Sequence, residues 1–144
     1  MMSKTGTLAI RALMTLADLP DESYAGAMQI AKQLNAPANY LSKLLQSLSR
    51  AGILESQKGM GGGFRLIKSP DKITLYEIIE PVEQVSRWGR CIMGKATCSN
   101  NHPCALHHKW ADISNRYLNL LENTTLFDLK NNKENNKTYN TKGR

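Results

Sequence analysis

With 144 residues, 41% of them apolar, the chain has room for one domain, or one domain and an appendage, around a modest core. Nineteen basic against twelve acidic residues give a formal charge of +7, which suits a polyanionic partner, nucleic acid before a membrane surface. No apolar run is long enough to span a bilayer, no signal peptide is visible, and three cysteines make an odd number for a secreted disulfide framework, so the expected compartment is the cytoplasm.

Between Ser3 and Leu19 the residues Leu8, Ala12, Leu16 and Leu19 fall at helical spacing, with Ala9, Leu13 and Met14 widening the stripe. Ser3 is placed to cap this helix and Pro20-Asp21-Glu22 to end it. A short helix over 27–34 turns Ile30, Ala31 and Leu34 inward, and Asn35, which tolerates left-handed backbone, stops it. Pro37 opens a third helix that Gly52 closes, with Tyr40, Leu41, Leu44, Leu45 and Leu48 as its buried face. Asn39, Lys43, Gln46 and Arg50 recur along the opposite face as one polar stripe. An ordinary amphipathic helix has such a stripe too. Two helices joined by a turn of three or four residues, however, make a helix-turn-helix, whose second helix enters the major groove of DNA.

Residues 53–56 and 64–67 read as two strands joined by QKGMGGG, a hairpin with a flexible basic tip. Helix, short helix, helix, hairpin is the order of a winged helix. The glycines Gly61 and Gly62 let the tip backbone approach a phosphate or the minor groove, and Lys58 and Arg65 supply charge. A nucleotide-phosphate loop is disfavoured, because no Gly-Lys-Ser/Thr ending follows and the next element is a strand. Thr74 and Glu77 form a capping box for a helix over 75–80, which Pro81 ends.

Every cysteine and histidine of the chain lies between Cys91 and His108: Cys91, Cys98, Cys104, His102, His107 and His108. Thiolate and imidazole are ligands for zinc, copper and iron–sulfur clusters, and glycine, asparagine and proline make the segment a loop that can wrap such a centre. The spacing C-x6-C-x5-C-x2-H lacks the tight paired cysteines of structural zinc sites. Pro103 is placed to open a helix that sets His107 one turn beyond Cys104. His108 would then point about 100° away, and His102 sits in the loop. Arg87, Arg90 and Lys95 are expected to lower the thiol pKa values by their charge. Chemistry alone leaves cluster and zinc both open, with the cluster ahead.

Beyond the loop, Leu106, Trp110, Ile113, Tyr117 and Leu120 alternate by four and three, a heptad stripe suited to packing on a partner subunit. Residues 125–129 read as a short capped turn. The segment 130–144 is polar and low in complexity; its five basic residues and one acid account for +4 of the +7, so charge alone is a weak pointer to DNA. No carboxylate pair or nucleophile–base pattern stands out, so the chain does not read as an enzyme. Rival readings are a zinc- or thiol-responsive DNA-binding protein, and a small iron–sulfur electron carrier or assembly factor.

The wing GMGGGFRL followed by SPDKITLYEII, the loop from Cys91 to Cys104, and CALHHKW leading into WADISNRYLNLLENTTLFDL carry a family resemblance from Ser3 to Leu129. On these motifs the chain resembles the Rrf-type winged helix-turn-helix transcriptional regulators, and most of all their iron–sulfur branch, the IscR type. The resemblance implies a 2Fe–2S cluster held by Cys91, Cys98, Cys104 and His107, and a homodimer on a two-fold-related double-stranded DNA operator. The nitric-oxide-sensing branch lacks this histidine, and some of its members use an aspartate near the start of the first helix, where this chain has Thr7. A related nitric-oxide or redox sensor remains the alternative. Recognition-helix contacts carry over to Pro37, Asn39, Ser42 and Lys43, and the wing contact to Lys58. With Tyr40, Gln46, Arg50, Gly61, Gly62 and Arg65, these make the candidate DNA-contacting set.

The fold expected is therefore mainly α with a small β-hairpin wing: a winged helix-turn-helix over 1–73, a connecting helix and linker over 74–90, a cluster-binding loop over 91–107, a dimerisation helix and capped turn over 105–129, and a disordered basic tail over 130–144.

Overall fold

A computed structural model describes residues 2–132. The first helix, α1 (Lys4–Ala17), is capped by Ser3, whose hydroxyl accepts from the Gly6 N–H at 3.0 Å. It buries Ala9, Ile10, Ala12, Leu13 and Leu16. Then come α2 (Ala27–Leu34), ended by Asn35 in the left-handed conformation at φ 53°, and α3 (Ala38–Arg50). Pro37 is the cap of α3 rather than its first residue. Leu41, Leu44, Leu45 and Leu48 are buried along α3, whereas Tyr40, expected among them, is 45% exposed. The ring of Tyr40 lies on the rim, with its hydroxyl hydrogen-bonded to that of Thr5 on α1.

The hairpin pairs β1 (Leu54–Gln57) antiparallel with β2 (Gly63–Leu66), Leu54 opposite Leu66 and Gln57 opposite Gly63. Both strands lie one residue nearer or farther along the chain than the apolar runs suggest. Two backbone features set this register. The Gly62 N–H donates to the Gly59 carbonyl at 3.1 Å and closes the tip. Phe64 exchanges hydrogen bonds of 2.8 and 3.0 Å with Ala25, so the hairpin is also fastened to the segment before α2. Gly63 makes that approach possible: at φ +137° a Cβ there would lie 2.3 Å from the Ala25 carbonyl oxygen.

Thr74 and Glu77 form the capping box of α4 (Leu75–Glu83), which runs through Pro81 instead of ending before it. The proline ring removes one intrahelical donor, but the turn continues on its other bonds and on the packing of Val82, and the Gln84 N–H closes it on the Glu80 carbonyl at 2.9 Å. Gln84 is left-handed at φ 51°, and a 3₁₀ turn (Val85–Gly89) redirects the chain. The final helices are α5 (His107–Asn123) and α6 (Leu126–Asn131). The expected capped turn is thus a full short helix, with a second capping box from Thr125 and Asp128.

The C-terminal helices are woven into the rest. Leu75 N–H donates to Thr124 and Leu126 N–H to Ile73, both at 2.9 Å, and Leu121 and Leu126 belong to the same buried cluster as Leu13, Leu45 and Ile78. Lys130, read from the sequence as part of a tail, ends α1: its ammonium donates to the Ala17 carbonyl at 2.8 Å and pairs with Asp18 at 3.3 Å. The rest of the expected disordered tail, from residue 133 on, lies outside the described residues. No described helix is long and apolar enough to cross a membrane.

Candidate metal centre and nucleic-acid face

Three of the four expected ligands converge. The sulfurs of Cys91, Cys98 and Cys104 all lie within 4.8 Å of one another, with Cys91 and Cys104 3.7 Å apart. Cys98 Sγ is 3.2 Å from Nδ1 of His107. His107 reaches this place by a different route from the one its spacing suggested. Pro103 does not open a helix; Cys104–Leu106 make a turn in which the His107 N–H donates to the Cys104 carbonyl at 3.0 Å, and α5 begins at His107 itself. His107 thus stands at the head of α5, facing the loop. His108 meets the His107 ring edge-on at 5.2 Å and is exposed, as is His102.

Electrostatics at the thiols differs from the sequence expectation. Burial raises the Cys91 pKa, but the Lys95 and Met93 backbone N–H groups and the neighbouring thiols of Cys98 and Cys104 outweigh it and lower the value to about 7. Amide dipoles of the loop, rather than the charges of Arg87, Arg90 and Lys95, therefore favour this thiolate. The Cys98 thiol is shifted the other way: the Cys104 backbone N–H stabilises its thiolate, but burial and the thiols of Cys91 and Cys104 prevail and raise its pKa.

The hollow around the sulfurs is walled by residues that tie the loop to α5. Trp110, one turn beyond His107, donates its indole N–H to the Arg90 carbonyl at 2.9 Å, next to Cys91. Its ring stacks on Trp88 of the 3₁₀ turn at 5.5 Å, and Trp88 in turn meets Tyr117 at 5.3 Å. Glu83, just before that turn, accepts from the Ser3 N–H at 2.8 Å and from the Ser3 hydroxyl. The carboxylate sits at the positive end of α1. Gly6 leaves room for it: a Cβ there would come 2.1 Å from Glu83 Oε1. A short chain of contacts thus runs from Arg90, next to Cys91, through Trp110 and Trp88 to Tyr117, whose phenol feels the charge of Glu83 at the start of α1. Trp88, Glu83 and Asn100, which accepts from His107 at 2.9 Å, carried no role in the sequence reading; Trp88 and Trp110 are the chain's two tryptophans, a signal that was available.

The stripe expected to meet a partner divides. Leu106, Ile113 and Leu120 are 42%, 58% and 58% exposed, whereas Trp110 and Tyr117 pack within the chain. Helix pitch sets the order round α5, and Trp88 decides where the stripe divides. At about 100° per residue the first three keep within roughly 40° of one another, while Trp110 and Tyr117 lie rotated toward buried Ser114 and Leu121.

Asn39, Lys43, Gln46 and Arg50 are exposed along α3, with Pro37 exposed at its cap and Ser42 half-buried. A groove separates α3 from the hairpin, lined by Gln46, Ser49, Arg50, Ser56, Gln57 and Lys58. Gly61 is open at the tip, at φ +74°. Gly62 serves the turn itself, since a Cβ there would sit 2.2 Å from the Gln57 carbonyl oxygen. Arg65 is engaged internally. Its guanidinium pairs with Glu22 at 2.8 Å and Glu55 at 2.9 Å and lies 4.7 Å from the Tyr24 ring centre, and the two carboxylates raise its pKa. Arg65, expected to reach DNA, thus has its charge answered by two carboxylates of its own chain.

Residues 2–132 match the family model Rrf2, described as an iron-dependent transcriptional regulator. An Aquifex aeolicus (strain VF5) protein that carries the name of an HTH-type transcriptional regulator is 36% identical over 131 residues, 90% of each chain. The HTH-type transcriptional regulator IscR of Pectobacterium carotovorum subsp. carotovorum (strain PC1) is 31% identical over 133 residues, 92% of this chain and 80% of that protein. Among solved structures, CymR, the global cysteine regulator of B. subtilis, superposes with a TM-score of 0.73 at 27% identity, over 91% of this chain and 96% of that one. These relatives are transcriptional regulators, not enzymes. A mainly helical chain with a two-stranded hairpin, three convergent cysteines and a family match over nearly its whole described length belongs to the Rrf2 family of transcriptional regulators.

Proposed function

We propose that the chain is a dimeric regulator whose binding to a double-stranded operator responds to a 2Fe–2S cluster held by Cys91, Cys98, Cys104 and His107. The observation that carries this reading is the convergence of the three sulfurs within 4.8 Å beside His107 Nδ1, which is 3.2 Å from Cys98. Three soft thiolates and one imidazole suit an iron–sulfur centre, and an imidazole in place of one thiolate raises its potential and makes it easier to lose. Such a cluster, when bound, supplies a redox- and iron-sensitive lock on the loop.

The rest is done by the chain's own residues. Ligation would fix residues 91–107 at the head of α5, and Trp110, holding the Arg90 carbonyl, would pass that order to Trp88 and the 3₁₀ turn. Glu83 would carry it to the start of α1, against which Tyr40 of the recognition helix leans. Leu106, Ile113 and Leu120 offer the apolar face on which a second copy would sit, setting the spacing of two recognition helices. Asn39, Ser42, Lys43, Gln46 and Arg50, with Pro37 at the cap, would address the major groove, and Lys58 with Gly61 the adjoining backbone or minor groove. A coupling of about 1–3 kcal/mol between cluster and operator would change affinity roughly 5- to 150-fold. The cytoplasm, where thiols stay reduced, suits this chemistry.

Anaerobic reconstitution tests the reading. Visible absorption and the iron-to-sulfide ratio should report a two-iron cluster that His107→Ala perturbs, and loaded and metal-free protein should differ in operator affinity. A second reading, a thiol-redox or zinc input to the same DNA-binding head, is favoured by the 3.7 Å separation of Cys91 and Cys104 sulfurs. Metal analysis of protein isolated without oxygen separates the two.

A further inference from the structure

We infer that Asn100 is the positioning residue that decides which ring nitrogen His107 presents to the three thiols. The inference rests on the reading of His107 as a ligand.

Asn100 Oδ1 lies 2.9 Å from His107 Nε2, and on the other side of the ring Nδ1 lies 3.2 Å from Cys98 Sγ. A neutral imidazole carries one N–H and one lone pair, and an amide oxygen can only accept. A hydrogen bond to Oδ1 therefore requires the proton on Nε2 and leaves the Nδ1 lone pair facing the sulfurs, free to bind a soft cation. Without this partner the proton is free to sit on Nδ1, and the ring then meets the thiols with a donor instead of a lone pair. His107 heads α5 and is half-buried, so its ring has little freedom to turn round and offer the other nitrogen. His108 meets the ring edge-on, with 5.2 Å between ring centres. Outer partners of this kind both orient a ligating imidazole and raise its basicity. Asn100 is exposed, outside the buried core.

The choice of tautomer is measurable without any cluster. Long-range proton–nitrogen correlation spectra of the metal-free, histidine-labelled full chain at mildly alkaline pH should show His107, assigned by its loss in His107→Ala, as the Nε2–H tautomer. Asn100→Ala should mix the two tautomers, and Asn100→Asp, which keeps an acceptor, should restore Nε2–H. A wild-type ring protonated on Nδ1, or an Asn100→Ala spectrum unchanged from wild type, overturns the inference. Anaerobic titration with cobalt(II) alone gives the second readout: Asn100→Ala should bind about 10- to 100-fold more weakly than wild type. If His107→Ala weakens cobalt binding and Asn100→Ala does not, the inference falls and the ligand reading stands. If His107→Ala leaves cobalt affinity and spectrum unchanged, the ligand reading itself falls and takes this role of Asn100 with it.

Discussion

Lys58 and Arg65 lie on the same hairpin and carry the same charge, yet the structure gives them opposite fates. Lys58 is exposed beside the groove that separates α3 from the wing. Arg65 is held by Glu22 and Glu55. If each wing of a dimer sets one Lys58 against a phosphate, two counterions are released on binding, and each contributes about 0.9 to the slope of log affinity against log salt. Lys58→Ala should then flatten that slope by about 1.8 and weaken all sequences alike. Arg65→Gln should leave the slope as it is, because the charge it removes is already answered by two carboxylates; its effect should appear as a lower melting temperature of the hairpin-bearing head. Fluorescence anisotropy with a labelled operator duplex and a scrambled duplex, repeated across a salt series, measures both. Equal flattening by the two variants, or none by Lys58→Ala, would refute the assignment of wing roles.

If the exposed face of α5 is the proposed dimer face, replacing Ile113 or Leu120 with glutamate should shift sedimentation velocity from dimer to monomer while leaving far-ultraviolet circular dichroism intact, since both side chains are 58% exposed. Leu121→Ala, at a site with 0% exposure, should cost about 2–5 kcal/mol in urea unfolding, because it empties part of the cluster shared by the head and α6. Gly63→Ala should cost about 1–3 kcal/mol and loosen the hairpin from Ala25, seen as faster amide exchange at Ala25 and Phe64, because its φ is +137° and its Cβ would meet the Ala25 carbonyl. Gly61→Ala, at open φ +74°, should disturb stability less than Gly63→Ala.

Much of the fold was legible one segment at a time. Ser3, Asn35 and the Thr74–Glu77 box act through hydrogen bonds that span a few residues, so a linear reading finds them. The apolar period of α1 and α3 likewise records which side faces inward. The soft-ligand chemistry was legible, because every cysteine and histidine of the chain falls in one short stretch.

Tertiary structure decided what depends on a partner far along the chain. Pro81 stays inside α4, and Glu83 beyond it meets Ser3, eighty positions away. The heptad stripe of α5 divides where Trp88 and the core claim Trp110 and Tyr117, which no periodicity of α5 alone can indicate. The charge of Arg65 is cancelled by Glu22, and Lys130 leaves the expected tail to close α1. Local spacing records how a segment satisfies its own backbone and hides its own apolar side. Which face then meets which, and which charge is spent before a ligand arrives, is settled only when distant segments compete for the same space.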